Sequence, residues 1–436
     1  MMKKHLLAIS AAAVLLAPQA VGAEGFSINE WSAEGFAMGG ARMFAENDAA
    51  NMAYNPASLT KVQGEKAKIS VAYIAPHGKW KADERAFNVG PTKGYKEDLS
   101  GQGTWAESGR NRVNPAYAPG MYYVKQLNDK EWLGFGTYAR FGNMCQFERN
   151  SIVASNAFSS RMNGVSLGLN YARKHDNKWS TSVGAEINYV GLQLDKNLGM
   201  PHKGVSGPLH IEGTTWALGW NAAANYAPDK KNEFGVVFRS KVKHSMEANY
   251  DAHGIATVLP GAPLDQFTSE GDAYGVVTLP ESWMFGYGHK FNDKTRMELN
   301  ATWTRWSRFD AFNMMITPSG GDSFLMKQPK NWNDGWRYAI GIEHKLSDKY
   351  SVMAGIAHDE RGIPDETGDF MVPTGERDTY SLGVQYHDKK QTIALALGYM
   401  DVGDMNMRNH GTEAYANAKM YDSYTKIVVL SYQYNF

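Results

Sequence analysis

The side chains that could do chemistry are scattered along this chain rather than gathered. Asp359-Glu360 beside Arg361 puts two carboxylates next to a guanidinium, which suits an acidic site, a solvated loop entrance or an internal ion pair. Hydrolysis would need a serine or an acidic pair meeting a histidine. The chain has 12 His to draw on, yet none stands in a recognisable catalytic motif. His202, His210, His244, His253 and His289 read as loop or rim residues. Cys145 is the single cysteine, so no intrachain disulfide and no metal framework of thiolates can form. Met400, Met405 and Met407 could touch an apolar ligand through soft side chains, although loop packing accounts for them as well. A carboxylate ligand would want a cation beside apolar surface, and Arg140, Arg161 and Lys327 lie near connections where one could sit. No catalytic residue, bound metal or cofactor follows from these patterns.

The elements that must position these residues are announced by the two ends of the chain. Lys3, Lys4 and His5 precede an apolar run from Leu6 to Ala17, and Val21-Gly22-Ala23 offers a cleavage site. Residues 1–23 are therefore expected to be a secretory signal peptide, its apolar run being too short to cross a bilayer as a helix. From Tyr424 the chain ends YTKIVVLSYQYNF, with Val428, Leu430, Tyr432, Tyr434 and Phe436 on one parity. Thr425, Ser431, Gln433 and Asn435 take the other, the alternation of a strand with one apolar face. A soluble sandwich would also accept such a strand. Together with the signal peptide it points to the outer membrane of a Gram-negative cell.

Composition narrows the class further. Forty-five basic and 45 acidic side chains leave no net field to recruit nucleic acid or anionic lipid. Mean hydropathy is −0.45, and no apolar run beyond the signal reaches the roughly 20 residues of a spanning helix. A barrel escapes that test, because each strand spends half its residues on the lumen. The 23 Tyr and 12 Trp suit interfacial girdles, though a large secreted lectin or hydrolase would share them.

From Lys66 the alternation recurs at 66–76, 113–126, 131–142, 161–174, 178–194, 211–227, 232–249, 273–291, 294–309, 333–346, 349–359, 376–387, 390–401 and 423–436. Short polar turns such as Asn128-Asp129-Lys130, His175-Asp176-Asn177 and His387-Asp388-Lys389 alternate with long connections at 250–272, 310–332 and 402–422. That rhythm predicts an all-β fold, a 14-stranded antiparallel transmembrane β-barrel with periplasmic turns and extracellular loops. Fourteen is preferred to fifteen, which 101–109 would give, because an even number leaves both termini on one side. In 390–401, bulky Ile393, Leu395, Leu397 and Tyr399 alternate with small Ala394, Ala396 and Gly398, leaving space inside.

Residues 24–65 do not read as a strand. Asp48 could cap a short helix through Ala49, Ala50, Asn51 and Met52, and Asn55-Pro56-Ala57 would end it. The apolar residues Phe26, Ile28, Trp31, Phe36, Met38, Met43 and Phe44 favour burial. The expected organisation is a signal peptide at 1–23, an N-terminal plug in the lumen at 24–65 and the barrel at 66–436.

The start GFSINEWSAEGFAMGGARMFAENDAANMAYNPASL resembles the hatch of the FadL-type outer-membrane transporters of long-chain fatty acids. Pro280, Trp283, Gly286 and Trp306 resemble the family's central strands, and Trp336-Arg337, Gly341, Gly355-Ile356-Ala357, Asp359-Glu360 and Pro364-Asp365-Glu366 continue the likeness. The resemblance implies capture of a hydrophobic molecule in an apolar lumen site. Release is then lateral, into outer-membrane lipid, through an opening at a kinked third strand. It further implies Phe26 as a ligand contact, Asn55, Pro56 and Ala57 as a hatch motif packed near the kink, and Phe141-Gly142 as the kink itself. Long-chain fatty acids are the expected cargo of a monomer, with monoaromatic hydrocarbons as the alternative. A general porin fits less well, since a plug would obstruct it, and an adhesin role could coexist with transport.

Overall fold

The computed structural model describes residues 25–82, 106–149, 151–200, 205–252, 270–408 and 418–436; the expected signal peptide lies outside them. Fourteen barrel strands follow one another: β1 Glu65–Ala82, β2 Ala116–Asn128, β3 Glu131–Gln146, β4 Ser159–Lys174, β5 Trp179–Met200, β6 Val205–Tyr226, β7 Asn232–Arg239 with Val242–Ala252, and β8 Gly271–Leu279 with Ser282–Lys290. They continue as β9 Thr295–Thr304, β10 Gly335–Lys345, β11 Tyr350–Asp359, β12 Arg377–His387, β13 Gln391–Val402 and β14 Ala418–Asn435. Each pairs antiparallel with the next. The ladder from Lys66↔Asn435 to Ala82↔Ala418 joins β1 to β14 and closes the barrel, so no lipid-facing edge remains at the seam.

The short turns form for a local reason. Asp176 accepts hydrogen bonds from the Lys178 and Trp179 amides, both at 2.7 Å, and Asp388 does the same for Lys390 and Gln391. An Asp that satisfies the amides two and three residues on makes a compact turn unaided. The same bonds, Lys178 and Lys390 first, hold both carboxyls below their usual range.

Alternation sorts the side chains as expected. Leu397 is 56% exposed on the outer face while Ala396 is fully buried. On β14, Leu430, Tyr432 and Tyr434 point out, and Ser431 and Gln433 are buried. Aromatic pairs such as Trp179–Tyr226 and Tyr350–Tyr386 ring the short-turn end, and Trp220–Phe238, Trp336–Tyr338 and Tyr399–Tyr424 ring the other. Two such belts mark the faces of a membrane.

The strands depart from the sequence reading where they rise past the upper belt. The stretch 195–210, read as a connection, is an extension of the β5–β6 hairpin that pairs up to Met200↔Val205. Gly, Pro and charged residues blur the alternation there, because neither face meets lipid. β9 stops at Thr304, short of the expected 309, and a 3₁₀ turn Trp306–Arg308 follows. Ser108–Arg110 is a short strand on β1 and adds nothing to the barrel count.

Residues 25–64 run among the inward side chains of the strands and are almost entirely buried. Helix α1, Ala33–Ala37, is capped by the Ser32 side chain, a start the sequence reading did not anticipate. Helix α2 spans Asn51–Tyr54, two residues later than expected, with Asp48 accepting from the Ala50 amide just before it. Small residues on the wall admit this chain. A Cβ on Gly355 would lie 2.1 Å from the Gly39 nitrogen, and one on Gly398 would lie 2.3 Å from the Phe36 ring. The space implied by inward Ala and Gly is filled by the N-terminal segment.

Candidate functional site

The site is built where β3 departs from the wall. Its ladder with β2 stops at Met121↔Thr137, although β2 continues to Ala116. Its ladder with β4 continues to Gln146↔Ser159, with one extra residue, Arg140, between Ala139 and Phe141. A bulge of this kind bends a strand and puts consecutive side chains on the same side. Every residue from Gly136 to Cys145 is buried, so the strand has turned inward. Beyond the break the walls meet again at the Arg112 amide and the Gln146 carbonyl, 2.7 Å apart.

The N-terminal residues occupy the edge that β2 leaves. Ile28 donates to the Arg140 carbonyl at 2.9 Å, Gly142 donates to the Phe26 carbonyl at 2.8 Å, and Ser27 bridges Phe141. The Trp31 indole donates to the Ala139 carbonyl. Backbone groups exposed by the bend are thus satisfied from within, as burial requires. The register corrects the sequence reading. The kink centres on Arg140 rather than on Phe141-Gly142, and Gly142 stays paired with Asn163. A bulge changes hydrogen bonding without any compositional mark, so alternation alone could not locate it.

Phe26 and Phe141 do meet. Phe26 sits fully buried in an aromatic box, with ring centres 5.9 Å from Phe141, 4.7 Å from Trp306, 5.4 Å from Phe309 and 5.6 Å from Trp332. Above it a larger apolar core gathers Met162, Leu192, Leu194, Ile211, Met246 and Ile316 from the walls. Met405 and Met407 are buried in the same core, and so is Cys145 as a free thiol. The Trp306 and Trp332 indole nitrogens have no hydrogen-bond partner there.

Asn55, Pro56 and Ala57 lie elsewhere, toward the short-turn end. Asn55 accepts from the Ala57 amide and starts a 3₁₀ turn with Pro56 in its first position, where a missing N–H costs nothing. Its amide donates to Asn225 on β6 at 2.7 Å and to the Met43 carbonyl at 3.1 Å. The side-chain hydrogen bonds of Asn55 go to Asn225, Met43 and Ala57 and not to Phe141 or Gly142; Phe26, Ile28 and Trp31 bond or pack at the kink instead. Around it lies an ionic cluster. Arg42 holds Asp48 at 3.1 Å and Glu343 at 3.2 Å, and Lys68 holds Glu34 at 2.8 Å and Asp48 at 2.7 Å. Burial opposes ionisation of Asp48, but Lys68 and Arg42 override it and keep the carboxyl well below its usual range. A polar cavity of about 490 Å³ opens beside this cluster, reaching Lys66, Lys290 and Lys345.

The three cations proposed from sequence are not equivalent. Lys327 is exposed, Arg161 lies on the outward parity of β4 with Leu169, and Arg140 is buried against Glu186 at 3.1 Å. Sequence reading missed Lys330, which is 1% exposed and paired with Asp369, and it missed Glu186 and Arg239. A lone carboxylate at an inward strand position was the available signal for Glu186. His244, read as a rim residue, is fully buried inside β7. Asp359 pairs with Arg337 at 3.0 Å, the internal ion pair among the three readings offered. Among the described residues no group of His, Cys, Asp and Glu could hold a metal ion.

A closed antiparallel barrel with an apolar outer band, a filled lumen and a broken interstrand ladder is a transmembrane protein of the β-barrel class. Residues 13–436 match the family model described as outer membrane protein transport protein (OMPP1/FadL/TodX), and the chain belongs to that family. It is a protein of the Gram-negative outer membrane, and members of its family transport rather than catalyse. It is 25% identical over 427 residues to the long-chain fatty acid transport protein of Escherichia coli K12, covering 90% of this chain and 91% of that one. It is 24% identical to outer membrane protein P1 of Haemophilus influenzae, over 91% of this chain and 90% of the other. Its fold matches a Pseudomonas aeruginosa FadL homologue with a TM-score of 0.83 at 19% identity, covering 94% of this chain and all of that one. The Pseudomonas putida toluene transporter TodX follows with a TM-score of 0.70 at 16% identity, over 94% and 99% of the two chains.

Proposed function

We propose that this protein carries hydrophobic compounds, long-chain fatty acids first among them, through the outer membrane as a monomer. The ligand enters the apolar core on the extracellular side, passes Phe26 and leaves sideways into lipid between β2 and β3. Residues 24–65 act as the hatch. One observation carries the reading: β3 abandons β2 after Thr137, and the edge so exposed is held by Phe26 to Ile28. A short N-terminal segment can release such an edge at the cost of a few hydrogen bonds, whereas a β-strand in mid-ladder cannot. The route keeps an apolar solute out of water from pocket to hydrocarbon. The E. coli relative named for fatty acids supports this cargo. The aromatic box, together with the fold shared with a toluene transporter, supports monoaromatic hydrocarbons as the second reading.

The test places cysteines at Ser27 and Phe141, the bridged pair, in the full-length protein reconstituted in liposomes. Uptake of a long-chain fatty acid is expected to stop on oxidation and return on reduction. Equal uptake in both states would overturn the hatch reading. Rapid sugar or ion flux through the unmodified protein would favour a porin.

A further inference from the structure

Beside the bulge, a small cavity of about 40 Å³ lies between the N-terminal segment and β3, lined by Arg140, Phe141, Arg239, Ser27, Asn29 and Thr302 among others. Its charge is unbalanced. Arg140 and Arg239 both point to Glu186, Arg140 at 3.1 Å and Arg239 in closer contact. All three side chains are nine-tenths or more buried. No second carboxylate lies within ion-pair distance of either arginine among the described residues. Tyr138 and Asn221 also donate to Glu186, so that carboxylate is already saturated. Arg239 also donates to the Tyr138 hydroxyl at 2.7 Å and to the Ala53 carbonyl, neutral acceptors that leave its charge unbalanced. Aromatic faces cover the rest, with Arg140 5.0 Å from the Phe141 ring and Arg239 5.5 Å from the Tyr138 ring. A buried excess cation is costly to keep, and such groups inside membrane proteins mark places where a charge passes.

The position matters as much as the charge. Arg140 is the bulged residue, so the excess cation lies at the point where the wall ladder opens. Phe141 stacks on Arg140 on one side and reaches Phe26 and Trp306 on the other, so aromatic surface runs from the box to the cavity. The room suits a single small polar group, about the volume of one water. We infer that this cavity is an anion post: the carboxylate of an amphiphilic ligand docks on Arg140 and Arg239 while its chain lies along Phe26 and Phe141. The cargo class is then a long-chain carboxylate rather than a neutral hydrocarbon. This inference rests on the transport reading above and specifies its substrate.

The experiment compares uptake of a long-chain fatty acid with that of the uncharged alcohol of equal length, in liposomes holding full-length protein. Arg140→Met is expected to lower fatty-acid uptake about tenfold more than it lowers uptake of the alcohol, the loss of one charged hydrogen bond. Arg140→Lys is expected to restore most of the discrimination, and Glu186→Gln to retain the acid longer by freeing a second guanidinium. Equal falls for acid and alcohol would make Arg140 a prop of the bulge and overturn the post. Unchanged acid uptake would overturn it as well. Failure of the unmodified protein to carry either compound would instead overturn the transport reading itself.

Discussion

In the periplasmic half of the lumen, the N-terminal segment is tied to the wall by Arg42, Asp48, Lys68, Arg296 and Glu343. In the extracellular half the same segment meets the wall without an ion pair among the described residues, through a few hydrogen bonds to β3 and through Phe26 packed on Trp306, Phe309 and Trp332, with two indole nitrogens left unpartnered. Ion pairs buried at fixed angles hold one geometry and penalise others. Apolar contact tolerates sliding and exchange, because it is non-directional. The lower half is suited to anchor the segment, and the upper half is suited to let it be displaced.

The strongest way to break this contrast is at Lys68, which is 2% exposed and meets two acids. Lys68→Met leaves Glu34 and Asp48 partly unpaired and should loosen the segment by roughly 3–5 kcal/mol. Limited proteolysis between residues 40 and 64 would show it, with the barrel itself still heat-resistant. Gly355→Ala comes next. Its methyl has no room beside Gly39, and overpacking of this kind costs about 1–3 kcal/mol. Faster amide exchange at residues 36–40, with other strands unchanged, is the expected result.

Phe26→Leu probes the upper half. It removes edge-to-face ring contacts valued at about 1 kcal/mol each while keeping bulk. Binding of a fluorescent fatty acid to purified protein should weaken several-fold while resistance to proteolysis stays the same. Loss of both together would erase the division between anchor and displaceable tip. The smallest effect is that of acid. Because the seated Asp48 carboxyl titrates below its usual range, its contribution is complete at neutral pH and fades only as pH falls below about 4. Proteolysis of the segment that accelerates already between pH 7 and 5 would contradict this.

Much of the barrel was legible because lipid imposes a period. Leu395 and Leu397 had to face outward, and Asp176 and Asp388 had to make turns, so fourteen strands and their orientation followed from residue types. Burial of Phe36, Met38 and Met43 was equally readable from their apolarity. The site was less so. The Arg140 bulge concerns which amides pair, and nothing in the side chains of 137–142 encodes it. Glu186 and Arg239 lie 53 residues apart and meet only once the barrel curves. The family likeness pointed to Phe26 and Phe141, which meet in the fold, and expected Asn55 near the kink, whereas its amide bonds Asn225 on β6.

The seam between β1 and β14 has a consequence in time. The N-terminal segment bonds both seam strands: Lys68 on β1 holds Glu34 and Asp48, while Ser431 and Gln433 on β14 accept the Ala33 and Ala49 amides. The Ala33–Ser431 bond spans 398 residues, close to the whole chain. Contacts of such sequence separation are the slowest to form, because the loop they close is the longest. Sealing of the cylinder and seating of its occupant are therefore one late, shared event in assembly. A barrel that shut first would have to admit the segment afterwards through a mouth already lined with its partners.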